Sequence, residues 1–305
     1  MNITQPGRLG KVRATAHAKL TLTLAVYDRR PDGYHDLEAL AVSIGDPHDV
    51  VDVEAVPHPA GVTFDVAGEV DHVPTGSENL AVRAAEDLLI RAGRSGHGVR
   101  LGLRKSIPAG SGLGGGSADA AAAIAAVRRM LEVDVVDAEL ADVAARVGSD
   151  VPFCLVGGGA AWMRGRGELL EPVQLAGPLP VVVAFPPFRL ATPAVYEAWD
   201  ELGGPVASRR VEAPPAVAGL VSDLGNDLEA AAEAVEPRLQ SFREELEDIA
   251  RTGAILCGSG SAYALVPTTL STVAEATALA RRISRQMKVP VAGTVAVPQG
   301  VRLSA

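Results

Sequence analysis

Between Ile107 and Ala123 the chain reads IPAGSGLGGGSADAAAA, a glycine-crowded turn that runs without a break into an alanine-rich helix. No other stretch narrows the possible folds so far. Its five glycines, at 110, 112, 114, 115 and 116, let successive backbone N–H groups converge and leave no side chain in the way of what they bind. The helix expected over Ser117–Leu131 adds unpaired N–H groups and the positive end of its dipole. Asp119 near its start and Arg128 and Arg129 near its end agree with that dipole. Turn and helix together make an anion site suited to phosphate. As a purely structural turn, the same run would cost conformational entropy for nothing gained. Ser117 is either the cap of the helix or, like Ser111, a hydroxyl for phosphate or magnesium.

The better-known phosphate and nucleophile motifs are absent. No GxxxxGK[ST] is present, because no lysine follows the last glycine, and the glycine spacing is not that of a dinucleotide fingerprint. A G-x-S-x-G elbow is missing, since GSGSA at Gly258 departs from it. The six histidines show no zinc spacing with Cys154 or Cys257, so no protein-held metal is expected. A net charge of −9 without a Lys/Arg-rich run argues against nucleic acid or an anionic membrane as partner. A small anionic nucleotide remains open, because a few donors and a magnesium ion suffice. The two cysteines read as buried free thiols, and the polar first residues read as no signal peptide. With no long apolar run either, the expected location is the cytoplasm.

Aromatic residues make up 4% of a chain that is 48% hydrophobic, so the core must be built from Ala, Val and Leu. Val12–Val26 reads as one or two strands, with Leu20, Leu22 and Leu24 on one face and Lys19, Thr21 and Thr23 on the other. A charged turn, DRRPDGYHD, follows. Val50–Val56, Val62–Val66 and Val99–Arg104 read as strands, and Glu78–Ala92 as a helix started near Ser77. Ala138–Val147 reads as a helix, then GSDVPF as a turn into an apolar strand, and Leu170–Pro180 as weakly structured. Val181–Phe185 is a fresh strand that suits the start of a second domain. Helices are expected at Thr192–Glu201, Asp227–Arg238, Leu239–Arg251 and Ser271–Met287, a loop at Gly203–Pro215, and a closing strand at Ala292–Val297. Strands and helices mixed in both halves indicate an α+β protein.

Phosphoryl transfer asks for a cation, a positioned acceptor and a carboxylate near the acceptor's proton. Lys19 interrupts an apolar strand, where its stem is costly unless it points into a cleft. Asp150 opens an apolar segment. Paired across a cleft, the two would hold positive charge at the transferred group and keep the carboxylate ionised. The GSGS turn at Gly258 is either a further ligand contact or a tight turn. Tyr34 and His35 offer a stacking face and a hydrogen-bonding edge to a base, or simply anchor their loop.

The segments AKLTLTLAVYDRRPDGYHDLEAL, SENLAVRAA, IPAGSGLGGGSADAAA, VGSDVPF, TPAVYEAWD, NDLEAAAEAVEPRL and CGSGSAYAL span nearly the whole chain. In this order they resemble the GHMP kinase superfamily, named after galactokinase, homoserine kinase, mevalonate kinase and phosphomevalonate kinase. RRPDGYH and GLGGGSADAAA resemble, within it, the kinases that act on a cytidine-diphosphate sugar alcohol on the non-mevalonate route to isoprenoids. The resemblance implies a ribosomal-S5-like N-terminal domain over 1–170 and a ferredoxin-like C-terminal domain over 171–305, with a cleft between them. It implies ATP with Mg2+ as cofactor, a small-molecule cytidine diphosphate substrate, and a monomer or weak homodimer. Carried over by position, Lys19 and Asp150 become the catalytic pair. Pro108, Gly110, Ser111, Gly112, Leu113, Gly114, Gly115, Gly116 and Ser117 wrap the ATP phosphates. Tyr34 and Tyr196 wall the cytosine pocket, with His35 on the base edge. Thr21, Thr192, Gly258, Ser259 and Gly260 line the rest of the substrate site. The chain departs from the family pattern at His17 and Thr21, in HAKLTL for PAKINL, and at Ala118, where SSDAA becomes SADAA. Another kinase of the superfamily, or a weakly catalytic nucleotide-binding homologue, is the alternative.

Overall fold

The computed structural model describes residues 10–68, 70–132, 135–156, 158–204 and 224–304. Most of the loop expected at Gly203–Pro215 lies outside them. The alternating start of the chain forms one strand, β1 (Lys11–Arg29), and the charged turn brings the chain back as β2 (His35–Val56). The two pair antiparallel, with Lys19 opposite Ser43 and Arg29 opposite His35. The Val50–Val56 segment is therefore the far half of a longer strand. β3 (Gly61–Gly68) and β4 (Gly98–Lys105) extend the sheet beyond that half, and β5 (Ala160–Gly165) pairs with the near half. β6 (Leu169–Pro172) adds to β5, so part of the stretch read as weakly structured is a strand.

Among the described residues four helices complete this lobe: α1 (Leu80–Arg91), α2 (Gly115–Leu131), α3 (Asp137–Val147) and α4 (Val151–Val156). The start of α1 is set by Asn79, whose side chain accepts from Ala81 N–H at 2.9 Å, rather than by Ser77. Ala120, Ala121, Ala122 and Ala123 of α2 are fully buried, and their short side chains let the helix lie close on β1, β2 and α1. This is how a core poor in aromatic rings is filled. The segment after Asp150 is the helix α4, not a strand; the strand begins nine residues later, at Ala160.

The second lobe is an antiparallel sheet in the order β11 (Val291–Val297), β7 (Pro180–Ala184), β10 (Tyr263–Leu265), β9 (Ala254–Leu256). Around it lie α5 (Thr192–Glu201), α6 (Glu229–Val235), α7 (Arg238–Ala250) and α8 (Val273–Met287). β11 serves both lobes: Val291 to Val295 pair with β7, and Ala296 and Val297 pair with Ile44 and Ser43 of β2. It is not the closing strand. A two-residue β8 (Gly225–Asn226) and a final β12 (Val301–Ser304) both return to β1.

Candidate active site

The glycine turn stands where the two lobes meet. Gly110, Gly112 and Gly114 have φ of 71°, 79° and 66°, a region that side chains rarely enter. Gly114 caps α2, which begins at Gly115. Ser117 is therefore not the cap but a residue of the first turn, with its hydroxyl free for a ligand. The first helical bond runs from Ala118 N–H to Gly114 O at 2.9 Å, so the N–H groups of Gly115, Gly116 and Ser117 lie outside the helix ladder. Ser111 is buried, and its hydroxyl donates to Pro108 O at 2.7 Å, so it holds the turn rather than offering a proton.

Three sets of backbone bonds fix the turn. Lys19 N–H donates to Leu113 O at 2.9 Å, Ser261 N–H to Gly110 O at 3.2 Å and Ala262 N–H to Ser111 O at 3.1 Å. The GSGS turn thus lies against the phosphate turn and is itself held by Asn226, whose amide donates to Leu256 O and Gly258 O at 2.8 and 2.6 Å. Contact is tight enough that a Cβ on Gly112 would stand 1.7 Å from Cys257 O. Gly112→Ala is accordingly expected to displace one turn from the other, over and above a positive-φ strain of about 1–3 kcal/mol. The measurement is calorimetric titration with a non-hydrolysable ATP analogue, in which the wild type binds and the variant loses at least about tenfold in affinity.

A cavity of about 740 Å³ opens over the turn. The whole phosphate segment named above lines it, as do Lys19, Asp150, Thr21, Tyr34, His35, Thr192, Tyr196, Gly258 and Ser259. Gly260 does not: it sits behind the wall, its N–H donating to Cys257 O at 2.8 Å and its open side facing Leu190 and Leu256. Ala118 is also away from the cavity and fully buried, so the hydroxyl missing from SADAA is not one that faced a ligand.

Lys19 Nζ and Asp150 Oδ2 are 2.8 Å apart, the lysine side chain 9% and the aspartate 31% exposed. A Cβ on Gly114 would come within 3.5 Å of the lysine stem and 3.7 Å of that carboxylate oxygen. The phosphate turn and the ion pair are therefore adjacent walls of one space. The turn 165–168 between β5 and β6 lies against the pair, with the open side of Gly167 3.5 Å from Asp150 Oδ1.

Under the turn lies a charged cluster that sequence reasoning missed. Lys105, at the end of β4, donates to Asp49 and, at 2.8 Å, to Asp119. Asp49 also accepts the N–H groups of Ser106 and Ile107, at 2.6 and 2.9 Å. All three side chains are buried, and a Cβ on Gly115 would lie 2.8 Å from the ammonium. Burial pushes the Asp119 carboxyl well above the usual carboxylate range, against the pull of Lys105, and Asp49 adds to the rise. For Lys105, burial acts downward, but Asp119 and Asp49 carry the balance upward. One cation beside two buried carboxylates leaves a negative charge in excess, which the raised Asp119 carboxyl relieves when it holds its proton. No sequence signal joins positions 49, 105 and 119; only the lysine closing the apolar strand VRLGLRK hints at it.

At the other end of the cavity His35 is buried and stacked on Tyr196, ring centres 5.1 Å apart, with Trp199 at its edge. Its Nε2 is 2.9 Å from Asp200 Oδ1. Tyr34 is 53% exposed, with the Arg166 guanidinium 5.0 Å over its ring. Thr192 and Ser259 share a hydrogen bond of 2.8 Å. Both cysteines are free and buried, and burial raises the Cys154 thiol to about 12, which leaves it inert.

A glycine cradle on a helix start beside a Lys–Asp pair defines a small-molecule kinase of the GHMP class. The family description "GHMP kinases N terminal domain" matches residues 79–158. A 4-diphosphocytidyl-2-C-methyl-D-erythritol kinase of Pelotomaculum thermopropionicum is 38% identical over 283 residues, 91% of this chain and 96% of that protein. One from Mycobacterium tuberculosis is 38% identical over 275 residues, 86% of this chain and 84% of that protein. The chain belongs to this family of ATP-dependent kinases. Among solved structures, a 4-(cytidine 5'-diphospho)-2C-methyl-D-erythritol kinase is similar with a TM-score of 0.72 at 36% identity, covering 93% of this chain and 99% of that one. A homoserine kinase from Cytophaga hutchinsonii, TM-score 0.68 at 18% identity and covering 99% of this chain and 100% of that one, shares the fold.

Proposed function

We propose that the protein transfers the terminal phosphoryl group of ATP to the 2-hydroxyl of 4-diphosphocytidyl-2-C-methyl-D-erythritol, a step of non-mevalonate isoprenoid precursor synthesis. The observation that carries this reading is the Lys19–Asp150 pair, set 2.8 Å apart beside the phosphate turn in the cavity that also holds Tyr34 and His35. Asp150 takes the proton of the acceptor hydroxyl or orients that hydroxyl for in-line attack, and Lys19 holds the carboxylate in place and offsets charge on the transferred group. The N–H groups of Gly115, Gly116 and Ser117 hold the phosphates. Phosphoryl transfer of this kind draws on magnesium bound with the nucleotide to neutralise phosphate charge. The open glycine cradle fits the phosphates, and the Ser117 hydroxyl is a hard oxygen donor of the type magnesium takes. Among the described residues no group of three or more His, Cys, Asp or Glu is placed to hold a metal unaided, so the cation would come with the nucleotide. The lobe from β1 to β6 supplies the cradle and the pair, and we place the division from the second lobe near residue 170. Among the described residues no helix is long and apolar enough to cross a membrane.

The test is ADP release with a panel of acceptors: the cytidine-diphosphate substrate, mevalonate, homoserine and galactose. Turnover is expected with the first. Turnover confined to one of the other three would overturn the reading.

A further inference from the structure

The cavity wall at His35 contains a further carboxylate, Asp200, that the transfer described above does not use. Asp200 lies in the last turn of α5, one turn beyond Tyr196 and next to Trp199, so one helix end presents all three to His35. Tyr196 covers a face of the imidazole, Trp199 meets its edge, and Asp200 Oδ1 lies 2.9 Å from Nε2. The ring is thereby fixed in plane and in rotation. Arg29 Nη1, 4.0 Å from the other oxygen of Asp200, is the cation that faces the carboxylate.

An ionised carboxylate only accepts hydrogen bonds, so the hydrogen between it and the ring sits on Nε2. A neutral imidazole then has Nδ1 as a bare acceptor. Among the described residues Nδ1 has no hydrogen-bond partner, it is not sealed off from solvent, and His35 lines the cavity. A bare acceptor on that wall matches the exocyclic amino group of cytosine, which donates. It opposes the carbonyl that uracil carries at the same position, because two acceptors would then face each other.

We infer that Asp200 is a positioning residue that sets the base preference of the site, by holding His35 in the tautomer whose free nitrogen accepts. The inference rests on the cytidine-nucleotide reading given above. It reaches beyond that reading in assigning the choice of cytosine over uracil to a residue that acts through His35.

The experiment compares CDP and UDP as probes, titrated calorimetrically at about pH 8. Wild type and Asp200→Asn are both measured, and the His35 ring nitrogens are observed by 15N NMR. An amide both donates and accepts, so the substitution frees the ring to take either tautomer. The wild type is expected to bind CDP more tightly than UDP and to hold His35 with hydrogen on Nε2. In Asp200→Asn the two tautomers should mix and the CDP-to-UDP ratio should fall by roughly tenfold or more. Part of that fall should come from tighter UDP binding, a gain that simple damage to the pocket does not produce. An unchanged ratio, a parallel loss of both nucleotides, or a wild-type His35 with hydrogen on Nδ1 would each overturn the role of Asp200. A wild type that binds CDP and UDP equally would instead bring down the substrate reading itself. If the variant does not fold, the wild-type nitrogen shifts still decide whether the tautomer is as inferred.

Discussion

Asp150→Asn is expected to lower kcat by roughly 10²–10⁴-fold while nucleotide binding stays nearly unchanged. The split follows from geometry. In the proposed reading the phosphates are held by backbone N–H groups of the turn, which the substitution leaves in place. The reacting hydroxyl depends on the carboxylate that Lys19 holds at 2.8 Å. An amide of the same shape neither takes a proton nor balances the lysine, whose side chain is only 9% exposed. Single-turnover kinetics, together with titration by a non-hydrolysable ATP analogue, separates the two quantities. Turnover near that of the wild type would mean that another group activates the acceptor. A parallel loss of nucleotide affinity would mean that Asp150 serves binding more than chemistry.

The second large effect concerns stability. Lys105→Met removes the single cation from between Asp49 and Asp119, which are 0% and 2% exposed. Leaving a buried charge without its partner costs about 3–5 kcal/mol, and urea unfolding at pH 7 should show a loss of that size. The loss should also depend on pH in a definite direction. The Asp119 carboxyl already lies above the usual carboxylate range because it is buried, and without the ammonium it is driven higher. A carboxyl raised in the folded state favours folding only when protonated. The loss relative to the wild type should therefore be smallest in acid and grow as pH rises past the ordinary carboxylate value of about 3.9. A variant as stable as the wild type at neutral pH would show that water, rather than Lys105, carries the charge of the cluster.

What could be read in the sequence was whatever is written locally. The phosphate turn, the alanine helix and the alternating first strand each carry their structure in neighbouring residues, through backbone freedom, propensity and a period of two. Even there, one boundary was misplaced. The helix expected from Ser117 begins two residues earlier, at Gly115, where Gly114 with its positive φ caps it. Lys19 and Asp150 were legible one by one, as charges set in apolar surroundings, and their meeting is a matter of topology. The Lys105 cluster and the Asp200–His35 contact were not legible, because each joins positions far apart in the chain, 165 residues in the latter case. The double pairing of β11 was hidden for the same reason. An apolar strand near the end of a chain carries no mark of which two neighbours it will join.

The ties that hold the phosphate turn to β1 and to the GSGS turn bear on how a nucleotide binds. A glycine-rich segment left to itself would sample many conformations, and binding would have to select one at an entropic cost. Here that cost is met when the chain folds, because bonds from Lys19, Ser261 and Ala262 fix the turn from two lobes. Nucleotide recognition and the joining of the lobes are thus thermodynamically linked. A ligand that binds only the assembled turn adds its own free energy to the contact between lobes, and whatever loosens that contact weakens the ligand by the same amount.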